Sequence, residues 1–140
     1  MWLLTLTLLL AASLVGAAEV VVVAHRDAPE DSVEPSRLLD FYTGDIRQWE
    51  DGTRVVVFDL KEKGETRERF FEYIGKSSSR MRTIWLKRML SGEGDPPEAL
   101  ADEEEMVRRI ATTPGAVGFT KREFVNDSVK VLVSIESGSE

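Results

Sequence analysis

The sequence predicts one α/β layer fold, a mixed and mostly parallel sheet with helices on both faces, and three observations carry that prediction. Two short β-branched runs, Val20-Val-Val-Val-Ala24 and Val55-Val-Val-Phe58, have the continuous apolar pattern of strands buried on both faces. Segments of helical period alternate with such runs, and the long connections demand crossovers between strands. The chain has 140 residues, which is room for one core and not two.

Each element has a local reason. After the strand at 20–24 and His25 the chain turns polar, and Pro35 is placed to open a helix with Leu38, Leu39, Phe41 and Tyr42 at helical spacing. Gly44 is its stop. Asp51-Gly52 signals a turn into the second strand at 54–58. Residues 66–74 put Phe70, Phe71 and Ile74 on one helical face, and Ser77-Ser-Ser79 precede a longer helix whose Met81, Ile84, Trp85, Met89 and Leu90 are expected to point inward. Gly92-Glu-Gly-Asp-Pro-Pro97 is a loop. Asp102 and Glu105 form a capping box for a fourth helix, with Met106, Val107, Ile110 and Ala111 facing the core. On its outer face Glu104 is expected to pair with Arg108 and Glu105 with Arg109. Thr113-Pro-Gly115 is a tight turn, 116–119 a short strand, and 129–135 a last strand whose Val129, Val131, Val133 and Ile135 share one face. Residues 137–140 should fray.

The first 18 residues contain no charged side chain, whereas the whole chain has 18 Lys+Arg and 25 Asp+Glu. An apolar run through Leu14, then small residues at Gly16 and Ala18 ahead of Glu19, reads as a secretory signal peptide, which implies a periplasmic domain over 19–136. A retained N-terminal membrane helix is the alternative, but the run is short and Glu19 interrupts it, so no membrane span is expected after cleavage. The absence of cysteine excludes disulfides, a lipid-modified cysteine and thiolate metal sites. A net charge of −7 without a basic run opposes nucleic acid and anionic lipid surfaces.

Few residues carry chemistry. His25 follows the first strand, and the carboxyl end of a strand is where ligands bind in an α/β sheet. It reads more readily as a surface or turn histidine, since no second His or Cys can join it as a metal ligand. No serine sits in a nucleophile elbow, and Glu103-Glu-Glu105 is explained by the dipole of the helix it opens. The informative segment is Lys63-Gly64-Glu65-Thr66, which runs from a buried strand into a helix starting near Thr66 and Arg67. Backbone N–H groups at such a start bind anions, and Gly64 lets a ligand approach. As structure alone it is an ordinary strand-to-helix turn.

Several segments together resemble the substrate-binding proteins of phosphate ABC transporters, within the type II periplasmic binding protein fold. Leu39-Asp-Phe-Tyr-Thr-Gly-Asp-Ile-Arg-Gln-Trp-Glu-Asp-Gly52 is similar to the family's helix and Trp-Asp-Gly turn, and Thr113-Pro-Gly-Ala-Val-Gly-Phe119 to its Pro-Gly-Ala-Ile-Gly-Tyr strand. Arg69-Phe-Phe71, Trp85 and the 92–97 loop fall between them in the order of short, single-lobe relatives. The family's Arg-x-x-x-Ser-Gly-Thr anion motif, laid on this chain, keeps only Thr66; Leu60 stands for the Arg, Gly64 for the Ser and Glu65 for the Gly.

The resemblance implies a single lobe of that fold that is not an enzyme and uses no cofactor or metal. It implies weak binding of phosphate or another small oxyanion at Gly64, Glu65, Thr66 and Arg67, with His25 nearby, unless a second subunit or partner closes the cleft. Leu60 and Glu65 support an alternative: a lobe that has lost its anion and serves as an adaptor or accessory module, docking an envelope protein or a second copy of itself.

Overall fold

The structure is a computed structural model that describes residues 19–136. The leader and residues 137–140 lie outside the described residues. Ten elements follow in order: β1 (Val20–His25), α1 (Pro35–Thr43), β2 (Val56–Leu60), α2 (Glu65–Ile74), α3 (Ser78–Leu90), β3 (Glu98–Leu100), α4 (Glu103–Thr112), β4 (Ala116–Lys121), a 3-10 turn (Arg122–Phe124) and β5 (Val129–Ile135).

The strands form one sheet in the order β3-β2-β4-β1-β5. β2 pairs in parallel with β3 and β4, whereas β1 is antiparallel to both β4 and β5, so four strands point one way and β1 opposes them. The two crossovers are β2–α2–α3–β3 and β3–α4–β4, as long connections between parallel strands require. β1 is buried along its whole length between two neighbours, as its unbroken valine run predicts.

Neighbouring residues of β4 show that both faces are covered. Phe119 stacks on Phe70 of α2 with ring centroids 4.2 Å apart, in a cluster with Tyr42 and Phe71. Gly118 points the other way, where an added Cβ would lie 2.5 Å from Met106 Sδ and 2.9 Å from Ile110 Cδ1 of α4. Gly118 thus lets α4 lie directly on the sheet. Gly118→Ala should force the helix outward and lower stability by about 1–3 kcal/mol, as overpacking does. A urea midpoint equal to the parent's would mean that Met106 and Ile110 give way freely.

Indole and phenol hydrogen bonds tie the layers together. Tyr42 donates to the Phe58 carbonyl at 2.7 Å, Trp85 to the Tyr42 carbonyl at 2.8 Å, and Trp49 to the Gly115 carbonyl at 3.0 Å. Burial, then the charge of Asp59, pushes the Tyr42 hydroxyl well above the usual phenol range, so it remains a donor at neutral pH.

Four sequence expectations change. The second strand begins at Val56, because Arg54 instead bridges Gln48. β3 follows the expected 92–97 loop, over residues for which the sequence predicts no element. In β5 the register slips opposite Val22 and Val23, leaving Leu132 as a bulge, so Val129, Leu132 and Ile135 are buried in place of a strict alternation. On α3 only Met81 and Trp85 are buried; Met89 and Leu90 face solvent.

Candidate functional site

The carboxyl ends of β2 and β4 and the starts of α2 and α4 enclose a cleft of about 360 Å³. The β2–α2 turn contributes Gly64, Glu65, Thr66 and Arg67, four of the five residues singled out in the sequence. Gly64 is the N-cap of α2 in an extended conformation, with no side chain capping the helix. The first N–H groups of the helix are therefore left for solvent or a ligand. An added Cβ at Gly64 would meet nothing nearer than Glu62 Cγ at 4.0 Å, so the space over the turn is open.

The charged side chains around this opening are mostly spoken for. Arg67 makes a bidentate pair with Asp59 at 2.9 and 3.0 Å and lies over the Phe71 ring at 4.6 Å. Its guanidinium therefore braces α2 against β2. Glu65 pairs with Arg69 one turn on, at 2.5 Å. Leu60, at the position of the family's arginine, is buried at the end of β2 opposite Leu100 and belongs to the core.

The opposite wall holds a contact that sequence reasoning missed. The Glu103 carboxylate accepts from the Lys121 N–H at 2.6 Å and from the Thr120 hydroxyl at 3.3 Å, and lies 3.8 Å from the Lys121 ammonium. An internal carboxylate thus occupies three donors at the end of β4. Asp102 caps α4 through the Glu105 N–H, while Glu105 reaches back to the Ala101 N–H and also pairs with Arg109. Glu62, Glu65, Asp102, Glu103 and Glu104 together give the cleft five carboxylates against Arg67 and Lys121. Such a rim opposes a multiply charged anion and leaves backbone N–H groups as the main donors.

His25 is not part of this site. Because β1 runs against β4, its carboxyl end lies beside the start of β4, with Ala24 opposite Val117, while Lys121 is opposite Val20. From Val117 to Lys121 is four residues, roughly 13 Å at about 3.3 Å per residue. His25 Nδ1 accepts the Asp27 N–H at 3.1 Å, and its carbonyl accepts from Ala28, the arrangement of a turn histidine.

The missed residues carried a usable signal. The rule that points to strand ends selects Lys121 and Glu103 once β4 is known to run parallel to β2. Among the described residues no cluster of His, Cys, Asp or Glu is arranged to hold a metal ion, and no helix is long and apolar enough to cross a membrane.

No protein-family model and no curated protein matches the sequence. Solved structures do match. A Clostridium perfringens protein assigned as a phosphate ABC transporter substrate-binding protein, with bound phosphate, aligns at a TM-score of 0.66 and 18% identity over 81% of this chain and 44% of its own. An ABC-type phosphate transport receptor from Vibrio cholerae aligns at 0.64 and 18% over 81% and 45%, and PstS from Borrelia burgdorferi at 0.60 and 8% over 81% and 46%. At these identities the likeness is one of fold: the chain has the fold of part of a phosphate-transport binding protein and spans less than half the length of the proteins it matches.

Proposed function

We propose that the chain is a single-lobe solute-binding domain, exported by its leader, that holds a small oxyanion such as phosphate weakly at the first turn of α2. The observation that carries this reading is the uncapped α2 N-terminus opening into the cleft at the ends of β2 and β4. The bound phosphate of a protein sharing the fold supports it. The proposed role is one of binding, as in the transport proteins that share the fold.

One lobe leaves its ligand half solvated, and the five carboxylates weaken any anion further. The dissociation constant should therefore be on the order of millimolar, unless a partner or second copy closes the cleft. The same carboxylates favour a second reading, in which the lobe has given up its anion and acts as an envelope interaction module.

Titration with phosphate, followed by amide chemical shifts, separates the two. The expected result is saturable shifts centred on Glu65, Thr66 and Arg67, weakening with salt, while the amides around His25 stay still. No shift at high millimolar phosphate, or shifts centred elsewhere, would reject the oxyanion reading and leave the interaction module.

A further inference from the structure

Away from the cleft, charge is segregated onto one helix. α3 carries Arg80, Arg82, Lys87 and Arg88 and no acidic residue, so it contributes +4 to a net −7 and leaves −11 elsewhere. Arg88 is held by Asp45 and Glu93. Among the described residues Arg80, Arg82 and Lys87 form no ion pair, in a chain with more acids than bases.

The same helix bears the exposed large apolar side chains: Leu86 is 53% exposed, Met89 48% and Leu90 80%. At about 100° per residue, Arg82, Leu86, Met89 and Leu90 fall within roughly a 100° arc, and Lys87 and Arg80 lie roughly 60° and 80° beyond its Leu90 edge. Beyond its Met89 edge, Met81 and Trp85 fix the helix to the body. α3 is thus a docked amphipathic helix whose second apolar strip, with Arg82 within it and Lys87 and Arg80 round one side, points outward.

The charge decides what can cover this strip. A second copy packed α3 against α3 would set the unpaired Arg80, Arg82 and Lys87 against the same three cations. Arg82, Leu86 and Met89 line one wall of a shallow apolar groove of about 340 Å³ completed by Pro96 and Pro97, while Leu90, Lys87 and Arg80 lie outside it. The most exposed apolar side chain and two of the cations are therefore free of the groove. Apolar tips with long cationic stems beside them match a lipid headgroup boundary, where the tips enter and the cations meet phosphates. We propose that α3 is a peripheral docking surface for an anionic lipid bilayer. The −11 on the rest of the chain is repelled by the same bilayer and turns α3 towards it. The net charge, which argued against anionic lipid, averages over this segregation.

The test is co-sedimentation of the purified chain with vesicles of phosphatidylglycerol and phosphatidylcholine, compared with phosphatidylcholine alone. The leader has no charged side chain, and the part of the difference that charge reversal on α3 removes reports on α3. Binding to the anionic vesicles should be at least about tenfold tighter and fall with salt. Arg82→Glu with Lys87→Glu should abolish that preference, and Leu86→Ser with Leu90→Ser should weaken binding to the anionic vesicles. All four positions are exposed, and circular dichroism verifies that the variants fold. Equal binding to both vesicles overturns the proposal, and a preference that survives the charge reversal overturns it as well. Neither outcome touches the phosphate titration, which reads the cleft.

Discussion

Gly115→Ala should remove much of the stability of the domain. Gly115 sits at φ +80°, where an L side chain costs about 1–2 kcal/mol, and its added Cβ would lie 2.1 Å from the Arg54 carbonyl oxygen. That contact is with backbone, so the β2 entry must shift, at a further overpacking cost of about 1–3 kcal/mol. The shift also strains two hydrogen bonds, because the Gly115 carbonyl accepts from both the Val56 N–H and the Trp49 indole, each at 3.0 Å. The total, about 2–5 kcal/mol, is a large share of the 5–15 kcal/mol typical of a domain. Gly52→Ala supplies the control. Gly52 has φ +87° with nothing within 4 Å of an added Cβ, so only the conformational part should appear. Equal urea midpoints for the two variants would show that the Arg54 contact does not matter.

The same corner explains why the fold could be read so far. The two segments that carry the family resemblance, one ending in the turn after Trp49 and the other starting at Thr113, meet where the Trp49 indole reaches the Gly115 carbonyl. Those motifs record a packing requirement, so they predict the lobe and not its ligand. Helix ends were legible because caps are local: Gly44 stops α1 with positive φ, and Ser77 and Asp102 start α3 and α4 with side-chain caps.

What the sequence hid depends on long-range pairing. Whether β1 runs with or against β4 is decided by a neighbour nearly a hundred residues away, and that choice moves His25 to the opposite end of the sheet. Helical period gives α3 its apolar positions but not the body that covers them. Trp85 anchors the helix to Tyr42, and Leu86, Met89 and Leu90 are left outside. β3, three residues long, carries too little pattern to be seen. In the cleft the turn at Gly64 was visible, whereas the contact of Glu103 with Lys121 requires α4 and β4 to be placed first.

That contact sets the largest change expected in binding: Glu103→Ala with Glu65→Gln should tighten phosphate binding about tenfold to a hundredfold. Removing the Glu103 side chain frees the Lys121 N–H, the Thr120 hydroxyl and the Lys121 ammonium, and hydrogen bonds to a charged group are each worth roughly 1.5–3 kcal/mol. Neutralising Glu65 removes a repelling charge at the first residue of α2, a gain that salt will screen. Against this, α4 loses a carboxylate at its N-terminus and β4 loses an acceptor, so the variant should be about 1–2 kcal/mol less stable. Stability and affinity thus move in opposite directions, which a general loosening of the fold would not produce. Glu104→Gln, on the same rim but exposed and without those donors, should change affinity only a few-fold. Calorimetric titration of the folded double variant decides the matter. A folded variant with unchanged affinity for phosphate would mean that the donors held by Glu103 serve only to join α4 to the sheet, and that the cleft is not an anion site.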